Sequence, residues 1–502
     1  MSDIYAISDL HLGGAAPSDG KPGFQMCSER GRERLAEFIR HIRTRHLSPG
    51  VSYPLAAELI INGDFIDFLA EQPFEAVTVD EESARRKLVS VMQNFGGVFD
   101  ALRDFVTAGG TLTLLLGNHD IELSLPAPRR ELLARLGVSQ IEFIYDSQAL
   151  QRGPVLIEHG NRYDSWNAVD HDALRQLRSL LSRRESASAI ELKAQPGSRL
   201  VIEVMNALKA RYPFVDLLKP ERENMLPLLA VLSPERMTSI NDVVAFAKGY
   251  IAQRKVEYTP QGQPKEPRLI GAQDSIEHED IAIARRRRIA AMEGAPLDSQ
   301  APDTEAATDQ AQALAEELAY AGQRGRHIGA GTLSLVKDLW TGIRSTDRTA
   351  KLQALLRAVR YLGQSEPEFV RTGWESAEYL TPAQAAVSRG FKTVIYGHTH
   401  LLRRKELTGG GLYLNTGTWA DLMFFPPEVF GKDDKRAISA LGDMSDDLFA
   451  NRLDKWRGII PSYAHVQLGS GDQHHAELKV FQSADSQLTV GESVEISKFH
   501  GR

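Results

Sequence analysis

Residues that could bind metal ions or move protons occur in six short blocks of the chain. Their donor groups are carboxylate and amide oxygens and imidazole nitrogens, with no thiolate, a set that suits manganese, iron, zinc or similar divalent ions. One carboxylate can bridge two such ions about 3.5–4 Å apart, as in two-metal hydrolytic sites. The blocks are Asp9-Leu10-His11, Gly63-Asp64-Phe65-Ile66-Asp67, Gly117-Asn118-His119-Asp120, His159-Gly160, Gly397-His398-Thr399-His400 and Asn415-Thr416-Gly417-Thr418.

Two of these blocks repeat one spacing. Asp9 and His11 are two residues apart, and so are His398 and His400, so each pair can project to one side as a strand ends. A single pair of this kind has a structural role more often than a chemical one. Six blocks in one chain make a metal site the stronger interpretation.

The elements before the blocks explain how they could meet. Each block follows an apolar run of strand length, and the segments 29–46 and 84–106 between them have the apolar spacing of helices. Gly96-Gly97 weakens the second helix without having to end it. Alternating strands and helices predict a layered α/β domain, in which ligands bind at the carboxyl ends of strands. The predicted strands are 3–7, 59–61, 111–116, 154–157, 393–395 and 411–414.

The order of the first five blocks resembles the calcineurin-like metallophosphoesterase superfamily, whose pattern is D-x-H, GD-x-x-D, GNH followed by D or E, a lone H, and GH-x-H. The resemblance covers residues 1–165 and about 391–420. It implies an α/β fold, a layered β-sandwich flanked by helices, here with a large, mainly helical insert. It also implies one metal ion on Asp9, His11, Asp64 and His400, and a second on Asp64, Asn118, His159 and His398.

The resemblance further implies a reaction. A water shared by two cations loses a proton near neutral pH, and the resulting hydroxide attacks phosphorus in line. His119 would be the general acid that protonates the leaving group, and Asp67 would fix its tautomer. We expect two divalent ions, manganese first, with iron or zinc as alternatives, and a phosphodiester or pyrophosphate substrate.

Details of the motifs narrow the branch. Phe68 follows Asp67, where phosphoprotein phosphatases carry an arginine. The run from His159 to Asp164 resembles the HG-x-x-F/Y-D stretch of bacterial enzymes related to UDP-2,3-diacylglucosamine hydrolase, although that enzyme often has arginine in place of His119 and is about half as long. We therefore carry over the branch without its substrate. Arg162 and Asn161 are the candidate substrate contacts.

Two other classes of function remain open at this stage. A nuclease could guide single-stranded nucleic acid along the arginine run from Arg285 to Arg288, although a net charge of −7 is the wrong sign for a globally basic coat. A non-catalytic scaffold could keep the fold as an interaction surface. The intact ligand set disfavours the scaffold, because a decayed site should have lost some of these residues.

The length of 502 residues is divided unequally by the motifs. We predict a first core segment at 1–165, a helical insert at 166–390 with flexible linkers near 255–275 and 294–312, a second core segment at 391–430, and a C-terminal extension at 431–502. That extension should carry a strand pair at 463–468 and 476–481. Since loop closure cost grows slowly with length, a compact domain tolerates such an insertion.

Location and partners are less constrained. The single cysteine, Cys27, fits a reducing compartment, and no apolar run approaches the ~18–20 residues of a spanning helix. The first strand starts almost at the initiator Met with no leader pattern, so we expect a cytoplasmic protein. An apolar loop such as 423–427 more often packs under an insert, but it could line a lipid or base pocket, so peripheral membrane contact stays open. The oligomeric state is left open by the sequence.

Overall fold

The computed structural model of the chain divides into two compact units. Unit 1 comprises Met1–Glu221, Gly363–Phe430 and Asp443–Arg502, and unit 2 comprises Arg222–Leu362 and Gly431–Gly442. The predicted linkers at 255–275 and 294–312 and the run from Arg285 to Arg288 lie outside the described residues. The structure describes residues 2–15, 23–47, 56–164, 167–186, 195, 197–198, 201–202, 206–209, 213–214, 217, 347–363, 372–469, 473–484 and 486–490.

All six apolar runs that precede the motif blocks form strands, with ends that differ by up to three residues from the predicted ones. Eight further strands lie in the described part of unit 1. In chain order the strands are β1 Ser2–Ile7, β2 Ala56–Asn62, β3 Thr111–Leu115, β4 Glu142–Ile144, β5 Leu150–Arg152, β6 Val155–Ile157, β7 Thr393–Tyr396, β8 Leu402–Leu407, β9 Gly411–Thr416, β10 Leu422–Met423, β11 Arg457–Gly458, β12 Ser462–Leu468, β13 His474–Ser483 and β14 Ser486–Thr489.

Two sheets carry the motif blocks. The seven-stranded sheet has the order β14-β13-β12-β1-β2-β3-β4, and the five-stranded sheet has the order β5-β6-β7-β9-β8. Strands β1 to β4 run parallel, as do β6, β7 and β9, so the loops after them leave the same edge of each sheet. The pair β12 and β13 near the C-terminus is antiparallel, and β12 also pairs with β1.

The two sheets pack face to face, which the alternation of side chains in β1 explains. Ile4 and Ala6 contribute to one core with residues of the second sheet, whereas Tyr5 and Ile7 contribute to another core with the helices. Phe424 also lies in the core between the sheets, so it does not line a lipid or base pocket. The predicted fold, a layered β-sandwich flanked by helices, is confirmed.

Helices cover the outer faces of the sandwich. Helices α1 to α4 pack on the seven-stranded sheet, and α8 packs on the five-stranded sheet through Tyr379 and Ala383. The described helices are α1 Glu29–Leu47, α2 Glu81–Asn94, α3 Gly96–Thr107, α4 Pro126–Leu136, α5 His171–Ser182, α6 Asn206–Lys209, α7 Arg348–Gly363, α8 Ala377–Ser388 and α9 Asp434–Phe449. Among the described residues, no helix combines the length and the apolar character that a membrane crossing requires.

One predicted helix is divided in the structure. The single helix expected over 84–106 is wrong, because α2 ends at Asn94 and α3 begins at Gly96. Phe95 between them leaves helical geometry at φ −113° and ψ 29° and buries its ring in the core. The glycine pair after it lowers the cost of the break, since glycine weakens a helix interior.

The described part of unit 2 is helical. Helix α7 and the segment 431–442 are joined by an ion pair between Arg360 and Asp434 at 2.7 Å. Arg348 donates a further hydrogen bond to the carbonyl of Gly442 at 3.2 Å.

Candidate metal centre

The backbone at the candidate ligands adopts an uncommon conformation. Asp9, His11, Asp64, His398 and His400 all have positive φ, between 45° and 70°, although none is glycine. For an L-residue this left-handed conformation costs on the order of 1–2 kcal/mol. It turns the chain sharply after each strand, so that side chains on successive loops point into one space. Such strain persists where the surrounding structure over-determines it, and it clusters at functional sites.

Four of the candidate ligands form a first cluster. Ligand atoms of Asp9, His11, Asp64 and His400 all lie within 4.8 Å of one another. The Nε2 atoms of His11 and His400 are 2.9 Å apart, and His400 Nε2 is 3.3 Å from Asp9 Oδ1. Residues from the loops after β1, β2 and β7 are thereby brought together.

A second cluster shares Asp64 with the first. Asp64, His159 and His398 place ligand atoms within 4.8 Å of one another, with His159 Nε2 3.2 Å from Asp64 Oδ2. His159 Nδ1 donates to the carbonyl of Asn62 at 2.7 Å, which leaves Nε2 to face the cluster. Asp64 therefore belongs to both clusters.

Buried atoms without partners test whether this pocket suits metal ions. Asp9 Oδ1, His11 Nδ1, Asn118 Oδ1 and His159 Nε2 are buried and make no hydrogen bond among the described residues. Buried polar atoms are normally satisfied, so this concentration of unsatisfied donors and acceptors is expensive. Carboxylate and amide oxygens and imidazole nitrogens gathered in one buried pocket fit divalent cations.

The electrostatics of the pocket also favour cations. Burial alone would raise the pKa of Asp64, but His159 and His119 hold it well below its usual range. Burial would lower the pKa of His159, but Asp64 and Asp9 raise it to about 10. Burial, with His400 and His119 adding to it, lowers the pKa of His11 to about 3. The carboxylates thus stabilise positive charge between the imidazoles. In the metal-free protein, a proton on His159 carries that charge.

His119 and Asp67 form a pair at the edge of the first cluster. His119 Nδ1 lies 3.0 Å from Asp67 Oδ1, and the backbone N–H of His119 donates to Asp64 Oδ1 at 2.8 Å. Burial would lower the pKa of His119, but the Asp64 and Asp67 carboxylates raise it to about 9. His119 is 16% exposed while Asp67 is 1% exposed, so the imidazole has access to a ligand and its partner does not.

Lys209 is a neighbour that sequence reasoning missed. It lies on the short helix α6, is 2% exposed, and acts electrostatically on the pair just described. Although burial opposes them, His119 and then Lys209 hold the pKa of Asp67 below its usual range. Asn206 on the same helix donates to the carbonyl of Leu69 at 2.9 Å, two residues beyond Asp67. No motif marks this lysine in the sequence.

Close contacts between loops explain the glycines of the motifs. A Cβ at Gly63 would overlap the His159 ring, and one at Gly397 would overlap Ser8 and the Asp9 carboxylate. Gly63 also has φ +84°, a conformation that favours glycine. These two positions let the ligand loops pass within contact distance.

Three further motif residues tie the loops together through hydrogen bonds. The Asp120 carboxylate accepts from the N–H groups of Gly117 at 2.7 Å and Phe65 at 2.8 Å. Asp120 therefore joins the loops after β2 and β3, and its side chain caps no helix. Asn415 donates to the carbonyl of Gly397, and Thr418 donates to that of Asp9. These residues shape the metal loops.

The two candidate substrate contacts lie differently. Arg162 has a side chain that is 55% exposed and lies 3.7 Å from the Glu158 carboxylate. Asn161 is buried, and its amide donates to the carbonyl of Asn167 at 2.9 Å. The structure thus places Arg162 at the surface and engages Asn161 in the protein itself.

Residues 2–204 match the family model described as calcineurin-like phosphoesterase. The matched segment contains β1 to β6 and five of the seven candidate ligands, and His398 and His400 lie beyond it. This match, with the His and Asp clusters, supports metal-dependent hydrolysis of phosphoesters as the general chemistry. No curated protein matches the chain.

Proposed function

We propose that this chain hydrolyses a phosphodiester or pyrophosphate with the help of two divalent cations. The observation that carries the proposal is the convergence of oxygen and nitrogen donors on one buried carboxylate, Asp64. When bound, two such cations lower the pKa of water towards neutrality and neutralise charge on phosphoryl oxygens. One set of ligands would be Asp9, His11, Asp64 and His400, and the other Asp64, Asn118, His159 and His398.

His119 supplies the proton that the leaving oxygen needs. Although burial opposes them, the Asp64 and Asp67 carboxylates raise the pKa of His119 to about 9 in the metal-free protein, which favours a protonated imidazole. Asp67 takes Nδ1 as its hydrogen-bond partner, so Nε2 is the nitrogen left to donate towards a substrate. General-acid catalysis by a positioned histidine typically contributes about 10²–10⁴-fold to a rate.

Lys209 gives the site a cation of its own beside this pair. Its burial, at 2% exposed, keeps it within a low-dielectric environment, where charge acts more strongly than in water. Phosphoryl groups carry negative charge that grows on the leaving oxygen during hydrolysis, and a fixed cation stabilises it. We infer that Lys209 has this role through its charge, which acts on Asp67 and His119.

A screen of substrates with manganese-loaded protein tests the proposal. Aryl phosphomonoesters, aryl phosphodiesters, nucleotide-sugar pyrophosphates, cyclic nucleotides and single-stranded DNA would be compared at one protein concentration. We expect turnover of an aryl phosphodiester or a pyrophosphate, lost after chelation and restored by Mn²⁺. Nucleotide-sugar pyrophosphates belong in the screen because the run from His159 to Asp164 resembles enzymes that cleave them. No turnover of either class would overturn the proposal.

The nuclease interpretation gains nothing further. The arginine run from Arg285 to Arg288, on which it depended, lies outside the described residues. Single-stranded DNA therefore enters the screen as a comparison.

A further inference from the structure

Asp164 and Asn167, two residues outside the seven candidate ligands, join two of those ligands to each other. Asp164 Oδ2 lies 3.2 Å from His398 Nε2 and accepts from Asn167 Nδ2 at 2.7 Å. At the other end, Asn118 Nδ2 donates to Asn167 Oδ1 at 3.4 Å. A continuous hydrogen-bonded path therefore runs from Asn118 to His398.

The path leaves a metal-binding atom available at each end. Asn118 uses its amide nitrogen on Asn167, which turns Oδ1 the other way, and that oxygen is buried without a hydrogen bond among the described residues. His398 uses Nε2 on Asp164, which leaves Nδ1. In metal sites, the second nitrogen of a histidine ligand is commonly held by a carboxylate in this way.

The path is also anchored independently of any metal. The turn that carries it is closed by backbone bonds from Asp164 N to Asn161 O at 3.0 Å and from Asn167 N to Asp164 O at 2.9 Å. Asn161 adds a side-chain bond to the carbonyl of Asn167. The buried residue Asn161 therefore has a place here, as support for this turn.

Gly197 lies against the Asn167 side chain of this path. A Cβ at Gly197 would come closer to the Asn167 amide than real Cβ contacts allow. An alanine at position 197 would have to displace the Asn167 side chain. The substitution Gly197→Ala would therefore displace Asn167 without removing any polar group of the path.

We propose that Asp164 and Asn167 are positioning residues for one of the two metal ions, the one held by Asn118 and His398. They orient the Asn118 amide and the His398 imidazole together. Loss of Asp164 or Asn167 therefore weakens the binding of that ion and leaves the binding of the other unchanged. The inference rests on the proposed function, because it needs a site for two ions. Mutations of such supporting residues typically cost about 10–100-fold in metal affinity.

Calorimetric titration of the chelated full chain with Mn²⁺ tests this, with electron paramagnetic resonance reporting spin-coupled ion pairs. Wild type should bind two ions and show a coupled signal. Asp164→Asn and Asn167→Ala should each weaken one binding event by about 10–100-fold, leave the other within twofold, and lose the coupled signal. The double variant should be no weaker than the worse single variant, because both residues act through one path.

Matched controls separate positioning from general damage. Asp170→Asn makes the same chemical change six residues away, at the N-cap of α5, where asparagine caps as well as aspartate. Gly197→Ala should reproduce Asn167→Ala, whereas Gly97→Ala, with nothing within 4 Å of its Cβ, should bind both ions as wild type does.

Each remaining outcome is decisive. If Asp164→Asn weakens the binding of one ion but Asn167→Ala and Gly197→Ala do not, Asp164 acts without Asn167 and the proposed shared path is wrong. If all variants bind two ions with wild-type affinity, the path has no role in metal binding. If wild type itself binds fewer than two ions, the proposed function fails first.

Discussion

The Nε2 atoms of His11 and His400 lie 2.9 Å apart, although the two residues are separated by 389 positions in the chain. Burial, with His400 and His119 adding to it, lowers the pKa of His11 to about 3, so this imidazole is neutral at physiological pH. Two buried nitrogens at this distance need a shared proton or a cation between them. The contact therefore favours metal binding by the first cluster. Asp64 belongs to this cluster and also to the second, so its substitution is the first test.

Asp64→Asn should abolish turnover and reduce the manganese bound per chain. The amide keeps the size of the carboxylate but removes the charge that both clusters share. Metal analysis after dialysis checks this, with Asp172→Asn on the exposed face of α5 as the control. Occupancy by two ions in Asp64→Asn would contradict the bridging assignment.

His119→Ala should depress turnover in a way that depends on the leaving group. Substrates with poor leaving groups need the proton, so their kcat should fall by about 10²–10⁴-fold, while activated aryl esters lose much less. Measuring kcat for a series of substrates whose leaving groups have rising pKa gives the slope of log kcat against leaving-group pKa. An equal fall for every substrate would show that His119 acts otherwise than as an acid.

The motif blocks could be predicted because their information is local. Asp9, Asp64 and His398 each follow an apolar strand within a few residues, and parallel strands bring their ends to one edge. The same locality explains why the α/β sandwich was accessible. The place of β12 beside β1 was not, because that pairing joins residues more than 450 positions apart.

Three features of the site had no sequence signal. Lys209 and Asn167 sit in no motif, and only the tertiary fold brings them to the metal loops. The left-handed backbone at His400 is likewise a property of the packed loops, since histidine, although enriched among non-glycine residues with positive φ, adopts it uncommonly. Outside the site, the helix break at Phe95 also had no sequence signal, because it depends on the burial of one aromatic ring in the core.

His400→Gly should yield a more stable metal-free protein than His400→Ala, by about 1 kcal/mol. His400 has φ 59°, which alanine tolerates poorly and glycine adopts freely. Urea unfolding after chelation measures the difference. His159 provides the control, because its φ is not positive. At that position the glycine variant should be less stable than the alanine variant by about 0.5–1 kcal/mol. The same order at both positions would contradict stored strain at His400.

Glu71→Gln should stabilise the protein at alkaline pH. Burial raises the pKa of Glu71 to about 7, against hydrogen bonds from Ser90 and Gly14 that lower it. For an acid whose pKa is raised on folding, the stabilising contribution is complete below the unfolded value near 4.5 and is lost as pH rises towards 7.

Glutamine removes this penalty while keeping the shape. The stability of Glu71→Gln relative to wild type should therefore rise by on the order of 2–3 kcal/mol between pH 5 and pH 8. Urea unfolding at both pH values measures it, with Glu37→Gln on the exposed side of α1 as the control. A difference that does not change with pH would show that Glu71 is ionised in the folded protein.

Lys209→Met should lower kcat/KM for the natural class of substrate by about 10–100-fold while leaving manganese binding unchanged. The methionine keeps most of the buried volume and removes the charge that acts on Asp67 and His119. Lys209→Arg should recover part of the loss, since it restores the cation, and the exposed Lys392→Met should have no effect. Steady-state kinetics with calorimetric Mn²⁺ titration separates the two readouts. If Lys209→Met loses metal as well as activity, the lysine supports the fold of the site, and its proposed role in the reaction is wrong.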